Sequence, residues 1–220
     1  MHRFFLMRLA PLALTATLLT LSAASVHAIP PRGLDAFGHD KGFFMRFSGG
    51  AGYGHAGSRA GDSDVTLSGF AAQLDFAFGG IITPNLALTG ELFGMSAFEP
   101  TMKLANSAGS VSTRLDDTRF RVGGLGVGLT YYFMPVNLYL AAAVGIGSAQ
   151  VRGFGSDFVV EANTDPGLAI NVMAGKEWWV SRRWGLGVAV QFMFASLPDD
   201  SASENWNVYQ IGVSLTATMN

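Results

Sequence analysis

Residues 184–196 alternate. Leu186, Val188, Val190, Phe192 and Phe194 share one face, and Gly185, Gly187, Ala189, Gln191 and Met193 share the other. A period of two is the period of a strand, here with one apolar face and one small or polar face. The preceding run, 167–180, alternates in the same way: Leu168, Ile170, Val172 and Ala174 oppose Ala169, Asn171, Met173 and Gly175. Ser181, Arg182 and Arg183 join the two runs as a tight turn, crowded by Trp178, Trp179 and Trp184. Continuing the phase puts Lys176 on the apolar face, where its stem can cover lipid while the amine reaches the interface.

The pattern recurs along the chain. Six further segments, 42–55, 65–79, 86–98, 118–134, 138–151 and 206–219, carry it, giving eight strands. The clearest is 65–79, where Phe70, Leu74, Phe76 and Phe78 oppose Gly69, Gln73, Asp75 and Ala77. In 118–134 the phase changes at Gly123-Gly124. This predicts either a bulge there or a pair of arginines, Arg119 and Arg121, above the apolar zone. Connections alternate in length. Thr83-Pro84-Asn85, Pro135-Val136-Asn137 and Ser181-Arg182-Arg183 are short turns, whereas 57–64, 99–117, 152–165 and 197–205 are longer loops. An even strand number with short turns at one end and long loops at the other predicts an all-β, eight-stranded antiparallel up-and-down transmembrane β-barrel over 42–220. The apolar faces then meet lipid, and closure leaves no unpaired edge. A soluble barrel with its apolar face inward is the competing arrangement. The polarity of the small-residue face argues against it.

Composition sharpens this. The chain is 49% hydrophobic and only 14% charged, with 28 glycines, 12% aromatics and no cysteine. Disulfides and thiolate metal sites are excluded. Residues 1–28 read as a secretory signal: Arg3 and Arg8 flank the start, 9–21 is apolar, and Val26-His27-Ala28 offers a cleavage site. After them, no run reaches the roughly 18 apolar residues of a membrane helix. The formal charge of the whole chain is −2, and loss of Arg3 and Arg8 makes the remainder more acidic, which argues against nucleic acid. Residues 29–41, IPPRGLDAFGHDK, read as a periplasmic N-terminal tail.

The stretches GKEWWVSRRWGLGVAVQF, GGLGVGLTYYF and NVYQIGVSLTATMN resemble the small eight-stranded outer-membrane barrels of Gram-negative bacteria, the OmpA/OmpX-like proteins. The resemblance covers essentially the whole chain after residue 28. It implies a cell outer-membrane location, with a periplasmic N-terminus and extracellular long loops. It also implies a monomer among outer-membrane lipids and lipopolysaccharide, and the barrel-assembly machinery as a partner during biogenesis. Such proteins usually end in an aromatic residue, often Phe, whereas this chain ends Met219-Asn220.

Candidate chemistry is sparse. The small-residue face carries isolated polar groups: Arg46, Gln73, Asp75, Glu91, Asn171, Glu177, Gln191 and Gln210. These form a candidate lumen network, with Arg46 facing Asp75, Glu91 or Glu177 as a stabilising plug or as a gate. Trp178, Trp179 and Trp184 form a candidate interfacial girdle. His55 and Ser58 offer a weak nucleophile–base pattern. Asp62/Asp64, Asp116/Asp117 and Asp199/Asp200 read as solvated loop charges, and Arg59, Arg114, Arg119, Arg121 and Arg152 as possible partners of lipid phosphates. No catalytic residue, cofactor or metal is assigned. The expected function is structural or cell-surface interaction, with a narrow pore for small solutes and a lipid-modifying enzyme as alternatives.

Overall fold

The structure is a computed structural model that describes residues 38–40, 42–154, 159–198 and 204–220. The signal segment 1–28, the tail to 37 and Asp199/Asp200 lie outside the described residues. Among the described residues there are eleven β-strands: β1 (Gly42–Ala60), β2 (Ser63–Thr83), β3 (Leu86–Phe98), β4 (Thr101–Asn106), β5 (Gly109–Arg114), β6 (Thr118–Phe133), β7 (Leu138–Phe154), β8 (Val159–Asn163), β9 (Gly167–Trp179), β10 (Trp184–Leu197) and β11 (Trp206–Met219).

Eight of them, β1, β2, β3, β6, β7, β9, β10 and β11, pair antiparallel with their neighbours, and β1 pairs with both β2 and β11, closing the ring. From Phe44, the cross-strand partners run through Gly79, Thr89, Gly128, Ala143, Asn171, Met193 and Gln210 and return to β1 at Gly54. The circuit therefore closes ten residues further along β1 than it began. For eight strands a stagger of that size corresponds to a tilt of roughly 40°.

The outside of the ring is apolar. Phe70 is 78% exposed, Leu215 70%, and Val127 and Ile146 63% each. Buried on the inside are Arg46, Asp75, Glu91, Glu177 and several amides and hydroxyls. This is the reverse of a water-soluble barrel, in which such an apolar surface would be turned inward.

The short turns sit together at one end. Asn85 and Asn137 adopt φ of 66° and 52° there, a left-handed conformation that Asn tolerates. Lys176, in register with Val188 and Leu138 on the outer face, reaches back to this end. Its Nζ donates to Val136 O at 2.5 Å and stands 5.5 Å from the centre of the Trp178 ring.

Several expectations change. The connection 57–64 is not a loop, because β1 and β2 continue beyond the apolar belt to the turn at Gly61-Asp62 and stay paired from Gly42↔Ile81 to Ala60↔Ser63. Above the belt, alternation of hydrophobic residues is no longer required, so polar strand residues looked like loop. For the same reason 99–117 contains the hairpin β4–β5, which extends the sheet from β2, and 152–165 contains β8 on β7. There is no bulge at Gly123-Gly124: β6 pairs continuously with β3 and β7 through both glycines. Phe120 and Val122 point inward and Arg119 and Arg121 outward, so the change lies in which residue types face lipid, not in the register. A register shift does occur between Ile81 and Thr83. Trp179 is not in an outer girdle. Adjacent strand residues face opposite ways, so Trp178 is 53% exposed while Trp179 turns toward the ring of His39 at 5.1 Å. Trp184 is 39% exposed and outward, like Trp178.

Candidate functional site

The interior is built in three layers. Toward the hairpin end it is apolar: Phe93, Met95, Phe120, Val122, Met193 and Leu197 pack with a set of alanines. Small residues alternate with these because an eight-stranded lumen has room for few large side chains.

The middle layer is a polar circuit. Arg46 Nη1 donates to Thr130 Oγ1 at 2.9 Å, and Arg46 Nη2 lies 3.6 Å from Asp75 Oδ1 and 3.5 Å from Glu91 Oε1. Thr89 Oγ1 donates to Glu91 at 3.1 Å. On the other side, Asn171 Nδ2 donates to Asp75 Oδ2 at 3.0 Å, Gln191 Nε2 to Asn171 Oδ1 at 3.0 Å, and Ser214 Oγ to Gln191 Oε1 at 3.2 Å. Gln73 Nε2 donates to Ser214 Oγ at 2.6 Å, and Gln210 Nε2 donates to Gln73 Oε1. The Arg46 guanidinium also lies 5.3 Å from the centre of the Tyr139 ring. Every strand of the ring thus contributes a side chain, and the circuit ties the wall together across its width. Buried ions persist when each has a partner and further hydrogen bonds, and Arg46 here has both.

The circuit brings together Arg46, Gln73, Asp75, Glu91, Asn171, Gln191 and Gln210. Glu177 stands apart from it. Thr218 Oγ1 donates to Glu177 Oε1 at 2.6 Å, within the third layer. Thr130, Thr89, Ser214 and Tyr139 were not anticipated, although each falls on the small-residue face of its strand. Their only signal was that parity.

The third layer is a floor at the short-turn end, made of Phe44, Tyr132, Tyr139 and His39. His39 is fully buried, although it precedes β1. Its carbonyl accepts from Asn85 N at 2.7 Å, Nε2 meets Asn137 Oδ1 at 3.1 Å, and Nδ1 meets Asn220 Nδ2 at 2.6 Å. An amide oxygen only accepts and an amide nitrogen only donates, so both contacts fit a neutral imidazole protonated on Nε2. Burial holds its pKa below the ordinary 6.5, against the raising effect of Asn137, Asn220 and Asp40. His39 is therefore packed against the barrel rather than part of a detached tail. Nothing in the sequence signals this, because His39 lies in a segment without periodicity.

At the opposite end, Arg59 pairs with Asp64 at 2.9 Å and with Glu204 at 3.2 Å, and Ser58 Oγ donates to Glu204 O at 2.6 Å, joining the β1–β2 hairpin to the residues before β11. Arg114 pairs with Glu99 at 2.5 Å. His55 and Ser58 are an odd number of residues apart on one strand and face opposite ways. Among the described residues no three His, Cys, Asp or Glu side chains converge as metal ligands.

No protein-family profile and no curated protein sequence matches the chain. Solved structures do. Neisserial surface protein A is 10% identical with a TM-score of 0.45, over 80% of this chain and 96% of that one. OprG from Pseudomonas aeruginosa is 13% identical with a TM-score of 0.43, over 80% and 97%. Outer membrane protein AlkL, solved in lipid bilayers, is 15% identical with a TM-score of 0.40, over 83% and 91%.

Proposed function

We propose that the protein is a monomeric barrel of the Gram-negative outer membrane. It is exported by residues 1–28, and the short turns lie in the periplasm and the hairpin end outside the cell. Its role is structural and interfacial: it holds a lipid-facing wall in the envelope and presents the β1–β2 and β4–β5 hairpins at the surface. It carries out no catalysis. The observation that supports this most is the inversion of polarity, with Arg46, Asp75 and Glu91 buried at the centre and Phe70, Val127, Ile146 and Leu215 facing outward. Lipid requires that arrangement and water opposes it. Folded membrane-fraction protein should migrate differently from boiled protein in a detergent gel. Partition into the soluble periplasm would overturn the reading.

The second reading is a narrow pore. It draws on the polar circuit, which would have to open around Arg46 for ions to pass, while the apolar layer above blocks water. Planar-bilayer recordings of the wild type should show little steady conductance. Sustained openings would favour the pore.

A further inference from the structure

The lumen holds more negative charge than its own side chains balance. Among the described residues it buries one guanidinium, Arg46, against three carboxylates, Asp75, Glu91 and Glu177. Asp75 and Glu91 share Arg46. Glu177 is only 2% exposed, and among the described residues no cationic side chain pairs with it. A carboxylate taken out of water is strongly disfavoured unless a counter-charge or a set of donors takes the place of the water.

The surroundings of Glu177 are built of oxygen. Glu177 lies in one cross-strand row with Gly187, Thr216 and Ser48, which runs from β9 through β10 and β11 to β1. Gly187 contributes no side chain, and a Cβ there would stand 2.7 Å from Glu177 Cγ and 2.8 Å from Thr216 Oγ1. Glu177 Oε2 lies over Gly185 and the Tyr139 hydroxyl over Gly175 in the same way. Three glycines on two adjacent strands thus clear space around one carboxylate. The Tyr132 and Thr216 hydroxyls neighbour that carboxylate, and the Tyr139 hydroxyl neighbours Thr216. Thr218 occupies Oε1 only. Glu177 Oε2, Thr216 Oγ1, Ser48 Oγ and the hydroxyls of Tyr132 and Tyr139 are all buried, and none makes a well-formed hydrogen bond to another protein group. Folded proteins rarely leave buried oxygens without a partner, and five in one layer mark a place where something binds.

The chemistry of the set narrows what that is. Its sign excludes an anion. Carboxylate and hydroxyl oxygens suit a hard cation, and the absence of nitrogen and sulfur from the set disfavours a soft one. One carboxylate among neutral hydroxyls balances a single positive charge. Divalent ions are ordinarily held by more carboxylates than this, and Asp75 and Glu91 are already committed to Arg46.

We propose that the lumen binds one monovalent alkali cation at Glu177, with Thr216 and the hydroxyls of Tyr132 and Tyr139 as its further ligands and Ser48 at the edge of the site. The ion ties β6, β7, β9 and β11 together from within, beside the Ser48–Thr216 pair that straddles the closing seam. His39, stacked on the Tyr132 ring, covers this chamber at the short-turn end and controls the exchange of the ion. The site concerns the lumen alone and stands whichever role the surface has.

The test is urea unfolding of the full chain in zwitterionic micelles. Sodium or potassium chloride is exchanged for N-methylglucamine chloride at constant ionic strength, so that screening is unchanged. Wild type should be stabilised by at least one of the two alkali cations. Above saturation its unfolding constant should fall about tenfold for each tenfold rise in that cation. Glu177→Gln keeps the shape and loses the charge, and should be indifferent to the exchange. Thr216→Val should need about tenfold more cation for the same effect. Wild-type crystals soaked in thallium(I) acetate should show an anomalous peak beside Glu177 Oε2, which decides the matter if the variants fail to give a heat-modifiable band. A wild type indifferent to both sodium and potassium overturns the proposal and leaves Glu177 neutralised by a proton. Lack of the thallium peak overturns it as well, as do stabilisation by calcium alone and a cation dependence that survives in folded Glu177→Gln.

Discussion

The imidazole of His39 lies flat on the ring of Tyr132, with centroids 3.5 Å apart and planes 16° apart. The stack joins a residue outside the ring of strands to the inner face of β6. With Asn137 and Asn220 on its two nitrogens, His39 holds three separate parts of the chain at the floor.

This contact sets a pH dependence. The pKa of His39 is depressed in the folded state, so the unfolded chain binds more protons as pH falls below about 6.5. Stability from His39 is complete above that pH and declines as pH drops toward the folded pKa. Protonation also turns Nδ1 into a donor facing the Asn220 amide. Urea midpoints in micelles should fall between pH 7 and pH 5, and His39→Gln should flatten that part of the profile. An unchanged slope in the variant would assign the dependence to other groups.

Removing Arg46 should be the most damaging single truncation in the lumen. Arg46→Ala leaves Asp75 and Glu91 buried without their cation, a loss of about 3–5 kcal/mol. The triple variant with Asp75→Asn and Glu91→Gln should recover part of it. Equilibrium unfolding in urea checks both. A loss below about 1 kcal/mol, the scale of an exposed ion pair, would mean that the circuit does not hold the wall together.

Two glycines on neighbouring strands should respond in opposite ways. A Cβ at Gly145 would overlap Leu125 O and Gly126 Cα, which are backbone atoms that cannot step aside. Gly145→Val should therefore abolish the heat-modifiable band. Gly123→Ala meets no atom and should leave the band intact. Equal yields from the two variants would contradict the packing described for this part of the wall.

Among the described residues the hairpin β4–β5 forms strand pairs with β2 and within itself, and the ring pairings run outside it. Replacing residues 102–113 with a two-residue turn should leave folding and heat-modifiability intact. Loss of the folded band would show that the hairpin is needed to close the barrel.

The sequence exposed what lipid enforces. Between Phe70 and Phe78, or Leu186 and Phe194, each second residue faces lipid and is apolar, so strand, facing and lumen-lining residues could be read directly. Beyond the belt that rule lapses. Arg59 and Asp64 are a cross-strand pair that reads as loop, and Lys103 and Ser112 are another. Phe120 and Val122 point inward because the upper lumen is apolar, and that inversion looked like a phase slip. Trp178 and Trp179 were grouped by type although neighbours on a strand cannot share a face. His39 was illegible for a different reason: its partners are 98 and 181 residues away, in segments with no periodicity to link them.

The β1–β2 hairpin has a mechanical consequence. It continues the barrel wall without a joint, through nineteen residue pairs with β2 and thirteen between β1 and β11. A pull on its tip runs along β1 and loads the closing seam parallel to the strands. In that direction the cross-links share the force and must fail together. A hairpin that extends beyond the apolar belt is thus anchored through the seam that closes the cylinder.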